Sequence, residues 1–331
     1  MSSAQYDVLG IGNAIVDVIA RVDDEFVDRN KLVKGSMNLI DEARAEELYG
    51  AMGPAVEISG GSCGNTIAGV ASFGGRGAYV GKVKNDQLGD VFAHDMEAQR
   101  VAFNTARATS GPATARSFIL VTPDSERTMN TYLGACVNLT PADIDEEAIA
   151  AAAVTYMEGY LWDPPQAKEA FKKAAKISRG SGRLVSITLS DSFCVERHRD
   201  SFLDLIRNDI DIVFANETEI KSLYQTQNFD GAVAAARKDC AIAVITRSEK
   251  GCLVARGNET VEAPAHLVAK VVDVTGAGDL FAAGFLFGHT RGFGLERSAR
   301  LGGLAAAEVI SHIGARPEKA LDGLARAAGL L

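Results

Sequence analysis

The chain has 331 residues, 47% of them hydrophobic and 23% charged, which predicts a packed globular core of one large or two ordinary domains. A formal net charge of −9 with scattered Lys and Arg argues against a nucleic-acid surface, and no uncharged apolar run reaches the ~18 residues of a membrane span. The five cysteines lie far apart without a Cys-x-x-Cys, the five histidines are dispersed, and no basic leader precedes the first apolar run; reduced thiols, no structural zinc and a cytoplasmic setting are expected.

In chain order, residues 6–12 read as a buried strand ending in glycines and 16–22 as an alternating, half-exposed strand. A helix is predicted over 41–52, capped by Asp41 and stopped at Gly53-Pro54. A strand at 56–59, a glycine-rich turn at 60–64, a small-residue helix over 65–72, a strand near 78–81 and a helix over 89–99 follow. Two β-rich runs, 114–121 and 127–133, flank Thr122-Pro-Asp-Ser-Glu126 and predict a hairpin with one solvent-facing side. From Pro141 onward, short apolar strands (154–157, 184–187, 211–214, 241–246) alternate with helices (166–178, 201–207, 231–237). That alternation predicts a parallel sheet with helices on both faces and a ligand site beyond the carboxyl ends of the strands. The hairpin and the early alternating strand break the pattern and read as a small β lid, 13–40 and 108–138, over a core of 1–12, 41–107 and 139–331.

The most informative stretch is Val271-Val-Asp-Val-Thr-Gly-Ala-Gly-Asp279, which runs from strand-like residues into an apolar helix. Free N–H groups at a helix N-terminus, presented by glycines, suit an anion, and an acid beside them suits attack of a hydroxyl on a phosphoryl group. Taken alone, Asp279 could equally be a helix cap. The extended pattern Asp-x-Thr-Gly-Ala-Gly-Asp with its small-residue helix resembles the C-terminal signature of the ribokinase-like (PfkB) carbohydrate and nucleoside kinases. Gly12-Asn-Ala-Ile-Val-Asp17, Gly60-Gly-Ser-Cys-Gly-Asn65, Gly81-Lys-Val-Lys-Asn-Asp-Gln-Leu-Gly89, Asn216-Glu-Thr-Glu219 and Thr246-Arg-Ser-Glu-Lys-Gly251 resemble its other motifs, spread over nearly the whole chain.

The resemblance implies an α/β fold, a ribokinase-like three-layer α/β/α core with a mainly parallel sheet plus a small β lid, and an ATP-dependent kinase that uses magnesium. It implies Asp279 as catalytic base beside the Gly276, Ala277 and Gly278 amides, with substrate on Asn13, Asp17, Gly61 and Asn65. ATP is implied on Asn216, Thr246, Ser248, Gly251 and Gly278, its adenine against 305–309 and 314–315, and magnesium through water on Asn216 and Glu219. A monovalent cation, potassium, is implied at Asp273, Thr275 and the Gly314 loop. Ser248 departs from the family's glycine, which leaves the backbone path there open.

Within the family, the 12–17 and 60–65 segments, Val22-Asp-Asp-Glu-Phe-Val-Asp28 and the run from Arg127 to Asn138 resemble the adenosine kinases. By that resemblance Arg127 reaches toward the transferred phosphate, and Leu39, Cys136, Tyr160 and Leu161 line a base pocket. The implied activity is phosphorylation of the 5′-hydroxyl of a nucleoside, adenosine; a kinase for fructose, ribose or a keto-deoxy sugar acid is the alternative. Exposed lid strands can pair between subunits, so monomer and homodimer both fit.

Rival classes explain less. Gly60-Gly-Ser-Cys-Gly64 matches a hydrolase elbow with His289 or His312 downstream, but leaves residues 275–279 without a purpose. Gly10-Ile-Gly12 lacks the third glycine of a dinucleotide fingerprint, Ile15 standing in its place, and no Walker A sequence occurs. A non-catalytic nucleotide sensor on the same fold is the harder rival.

Overall fold

The structure is a computed structural model that describes residues 4–124 and 126–331; Ser125, inside the expected lid turn, and residues 1–3 lie outside the described residues. Its strands in chain order are β1 (Tyr6–Ile11), β2 (Ile15–Arg21), β3 (Met37–Leu39), β4 (Val56–Ser59), β5 (Gly77–Val80), β6 (Ala102–Phe103) and β7 (Ala115–Val121). They continue as β8 (Arg127–Tyr132), β9 (Ala152–Glu158), β10 (Leu184–Thr188), β11 (Ile212–Asn216), β12 (Ile242–Thr246), β13 (Cys252–Arg256) and β14 (Glu259–Ala263).

Nine strands form one sheet in the order β14-β13-β12-β11-β10-β9-β1-β5-β6, parallel from β12 to β6 and antiparallel at the β13–β14 edge. Strands buried on both faces are largely apolar, and β1 puts Val8, Leu9 and Ile11 in the core, its one charge, Asp7, being paired with Arg76 and Arg291. The helices Ser62–Ser72, Gln87–Ala98, Ala277–Thr290 and Leu295–Val309 bury one face of the sheet. Pro165–Gly180, Ser192–Asp209 and Phe229–Asp239 bury the other, which completes the expected three-layer core. The β13–β14 hairpin and the helix Leu295–Val309 were not among the expected elements.

The remaining five strands form a second sheet, β3-β8-β7-β2-β4, with β2 parallel to β7 and β7 antiparallel to β8. Strand β4, assigned with the core from sequence, pairs antiparallel with β2 in this sheet. The lid hairpin differs from the solvent-facing expectation: β7 is buried at every position. One face carries Val18, Ala20, Phe118 and Leu120 under the helices Asp24–Arg29 and Glu42–Ala51, through Phe26, Ala45 and Leu48. Alternation along β2 then turns Ile15 and Asp17 to the opposite face, toward the core. Because β1, β9, β11 and β12 run in one direction, Asn13, Glu158, Asn216 and Thr246 all arrive at their carboxyl ends, under the lid.

Candidate active site

Two helices begin at the cleft between lid and core, and neither carries a side-chain cap. The helix Ala277–Thr290 starts at Gly276, whose φ of 78° is left-handed and whose added Cβ would lie 2.8 Å from the Ala315 Cβ. Ser62–Ser72 starts at Gly61, with φ 81°, where a Cβ would drive into the Asn13 carbonyl oxygen. Glycine at both positions lets the chain turn sharply and leaves the first-turn amides at the cleft without a capping side chain. The Ala277 N–H, expected among those amides, donates to the Val274 carbonyl at 3.2 Å.

Asp279 is the third residue of its helix and does not cap it. Its Oδ1 accepts from Ser62 Oγ at 2.6 Å and its Oδ2 from Asn65 Nδ2 at 3.0 Å, so the second helix's first turn orients the carboxylate. Burial raises the Asp279 pKa; the Ser62 and Asn65 hydrogen bonds and the Arg316 charge pull it back. Asp17 stands close by, its carboxylate against Gly60, with no hydrogen-bond partner among the described residues. Burial pushes Asp17 up to about 7, against the lowering charges of Arg316 and Arg127.

Arg316 is the cation behind both acids. Its guanidinium donates to Ser59 O (3.0 Å), Gly64 O (2.8 Å), Gln99 Oε1 (3.2 Å) and Ser59 Oγ (3.2 Å), bracketing the Gly60–Gly61 turn between lid strand and core helix. Burial lowers its pKa to about 10, against the raising charges of Asp17, Asp95 and Asp279. Glu158, at the end of β9, accepts from Asn13 Nδ2 at 2.7 Å and from Cys63 N at 2.9 Å, tying the Gly12–Asn13 corner to the Ser62 helix. Burial pushes Glu158 up to about 7. Ser62, Glu158 and Arg316 were missed from sequence, since nothing local marks a residue whose partners lie 95 to 257 positions away.

The cleft encloses about 1140 Å³ and reaches from the lid across the sheet. Under the lid it is lined by Asn13, Asp17, Gly61 and Asn65, and by Ile15, Met37, Leu39, Ile119, Met129 and Leu133. Tyr160 reaches it from the core. Cys136 and Leu161 do not: both are fully buried away from the cleft, Cys136 bonding the Leu133 carbonyl. Across the sheet lie Asn216, Glu219, Thr246, Ser248, Gly251, Gly303, Ala306, Ala307 and Ile310. Asn216 and Glu219 form a reciprocal capping box, Glu219 N–H donating to Asn216 Oδ1 at 2.8 Å and Asn216 N–H to Glu219 Oε2 at 2.9 Å, and burial pushes Glu219 up to about 7. Ser248 adopts φ 52°, the left-handed backbone for which a glycine is suited.

Asp273 and Thr275 do not face open space. Arg127, at the start of lid strand β8, donates to Thr275 Oγ1 at 2.9 Å and pairs with Asp273 Oδ2 at 2.6 Å. The same carboxylate accepts the Thr275 and Gly314 amides, both at 3.0 Å. These residues therefore do not fit a free monovalent cation while the lid is in this position, because a guanidinium already holds their side-chain oxygens.

Amide-lined helix termini and an oriented carboxylate under a lid over a long cleft define an ATP-dependent kinase acting on an alcohol group. Residues 30–320 match the profile of the pfkB family of carbohydrate kinases, and the chain belongs to that family. A probable sugar kinase from Rhizobium etli is 54% identical, with 99% of this chain and 100% of that chain covered and a TM-score of 0.92. The adenosine kinase of Sinorhizobium meliloti is 57% identical, with 98% and 100% covered and a TM-score of 0.91. Saccharomyces cerevisiae adenosine kinase is 25% identical over 327 residues, 92% of this chain and 94% of that protein. The chain is thus a nucleoside or sugar kinase. Among the described residues no helix is long and apolar enough to cross a membrane.

Proposed function

We propose that the chain transfers the γ-phosphoryl of ATP to the 5′-hydroxyl of a nucleoside, adenosine. The observation that carries this reading is the apolar lid face. Ile15, Met37, Leu39, Ile119 and Met129 form a slab suited to a planar base, while Asp17 and Asn65 offer polar partners for ribose hydroxyls. The likeness to the S. meliloti adenosine kinase supports it. A sugar acceptor is the second reading, favoured by the Ser117 and Thr131 hydroxyls on the same lid face and by the R. etli neighbour.

In this reading Asp279 takes the hydroxyl proton as the oxygen attacks phosphorus, and Ser62 and Asn65 hold its carboxylate in line. The first-turn amides at Gly276 and Gly278 stabilise the charge spread over the transferring phosphoryl. The lid excludes water, which otherwise competes as acceptor. Thr246, Ser248 and Gly251 border the nucleotide, with Gly303, Ala306 and Ile310 against its base. Magnesium, when bound, neutralises phosphate charge. Asn216 and Glu219, both lining the cleft, would hold it through water.

The test is ADP release with ATP and magnesium over adenosine, inosine, cytidine, ribose, fructose and keto-deoxygluconate. Turnover on adenosine far above the sugars is expected. Turnover on a sugar alone would overturn the base-pocket assignment and leave Asp279 as base.

A further inference from the structure

The resemblance to the kinase family implies a potassium ion at Asp273 and Thr275, and the structure puts the Arg127 side chain there instead. Asp273 follows the chain that pairs through Val272 N–H and Ile310 O at 2.8 Å, so its loop and the 310–315 loop form one base under the Gly276 turn. Asp273 Oδ1 accepts the Thr275 amide, and Oδ2 accepts both the Gly314 amide and Arg127 Nη1. The Arg127 and Asp273 side chains are 9% and 5% exposed, so the pair is sealed from water and weakly screened by salt. Arg127 Nε and Nη2 are buried and have no hydrogen-bond partner among the described residues, so the guanidinium holds Asp273 with one nitrogen.

We propose that Arg127 is a positioning residue that brings, on the lid, the positive charge this base would otherwise need from a dissociable monovalent cation. A buried carboxylate needs a counter-charge. In this chain that charge is covalently attached to β8, so it arrives and leaves with the lid. Lid closure and completion of the charge balance beside the anion-binding turn are then a single event. The enzyme needs no potassium, and the site becomes able to bind it only when the guanidinium is removed.

The melting comparison needs no acceptor, so it stands or falls separately from the nucleoside reading. Melting of the unliganded protein is compared in potassium chloride and in tetramethylammonium chloride, each at about 0.1 M so that screening is equal. The wild type is expected to melt at the same temperature in both, and Arg127→Met to melt higher in potassium. With whichever acceptor the panel identifies, Arg127→Met is expected to lose about 10²- to 10³-fold in kcat. Potassium is expected to restore about tenfold of that loss in the variant while leaving the wild type unchanged. Arg127→Lys keeps a charge on the lid and is expected to stay indifferent to potassium. Wild-type melting or turnover that rises with potassium overturns the proposal. A folded Arg127→Met that ignores potassium in both readouts does so too. Should Arg127→Met not fold, the wild-type and Arg127→Lys comparisons decide alone.

Discussion

Asp279 is held by side chains from another helix, and its chemistry follows from that. A cap would spend the carboxylate on its own backbone amides; here Ser62 and Asn65 take it instead and leave it at the cleft wall. Asp279→Asn is expected to lower kcat by about 10²- to 10⁴-fold, with acceptor affinity measured by calorimetry largely retained. Near-normal turnover in a folded variant would remove Asp279 as base. Only the ionised form accepts a proton, and burial raises its pKa, so the acidic limb of kcat/KM is expected above the ordinary aspartate value of 3.8. Arg316 lowers the pKa of both Asp279 and Asp17, so Arg316→Gln should move that limb to higher pH, and Arg316→Lys should move it less. The other charged groups acting on these acids are Arg127 and Glu158, with Asp95 acting on Arg316 itself, and none of them changes in the comparison. An unmoved limb in folded Arg316→Gln would reduce Arg316 to a mechanical brace of the Gly60–Gly61 turn.

The element that makes the anion site is a helix start, and its demands are steric. Gly276→Ala places a side chain at φ 78° and against Ala315, and is expected to cost at least ~1 kcal/mol in chemical denaturation while raising the KM for ATP. A loss of stability with unchanged ATP kinetics would mean that the turn is structural only. The nucleotide loop offers the converse. Ser248 holds φ 52° without being glycine, so Ser248→Gly should raise stability by up to ~1 kcal/mol, read as a higher melting temperature. A drop instead would show that the Ser248 side chain contributes more than its backbone strain costs.

On the scale of the whole molecule, the convergence of two sheets buries acids that a smaller fold would leave in water. Glu158 and Glu219 have an ordinary pKa of 4.5 and are each pushed up to about 7 by burial. Between those values the folded state binds more protons than the unfolded chain, so these groups make stability fall as pH rises. The unliganded protein is expected to lose melting temperature from about pH 5 to pH 7, and Glu158→Gln to flatten that slope. A slope unchanged by Glu158→Gln would show that the fall comes from other groups.

The sequence by itself determined the layered core, the lid hairpin and the Gly276–Asp279 turn. Apolar runs, their alternation with helical segments, and glycines at helix starts are local signals, and local sterics and burial set them. Asp41, Asp86 and Asn216 cap their helices for the same reason. Tertiary structure alone decided that Ser62 and Asn65 orient Asp279, that Arg316 underlies both acids, and that Arg127 crosses from lid to Asp273. It also decided that Cys136 and Leu161 turn into the core, while Ile15, Met37, Ile119 and Met129 face the cleft. An apolar side chain has no directional chemistry in sequence, so which face of a strand or turn it takes is set by the neighbours that cover it. A charge likewise reveals its partner only when two distant segments are brought to the same edge of a sheet.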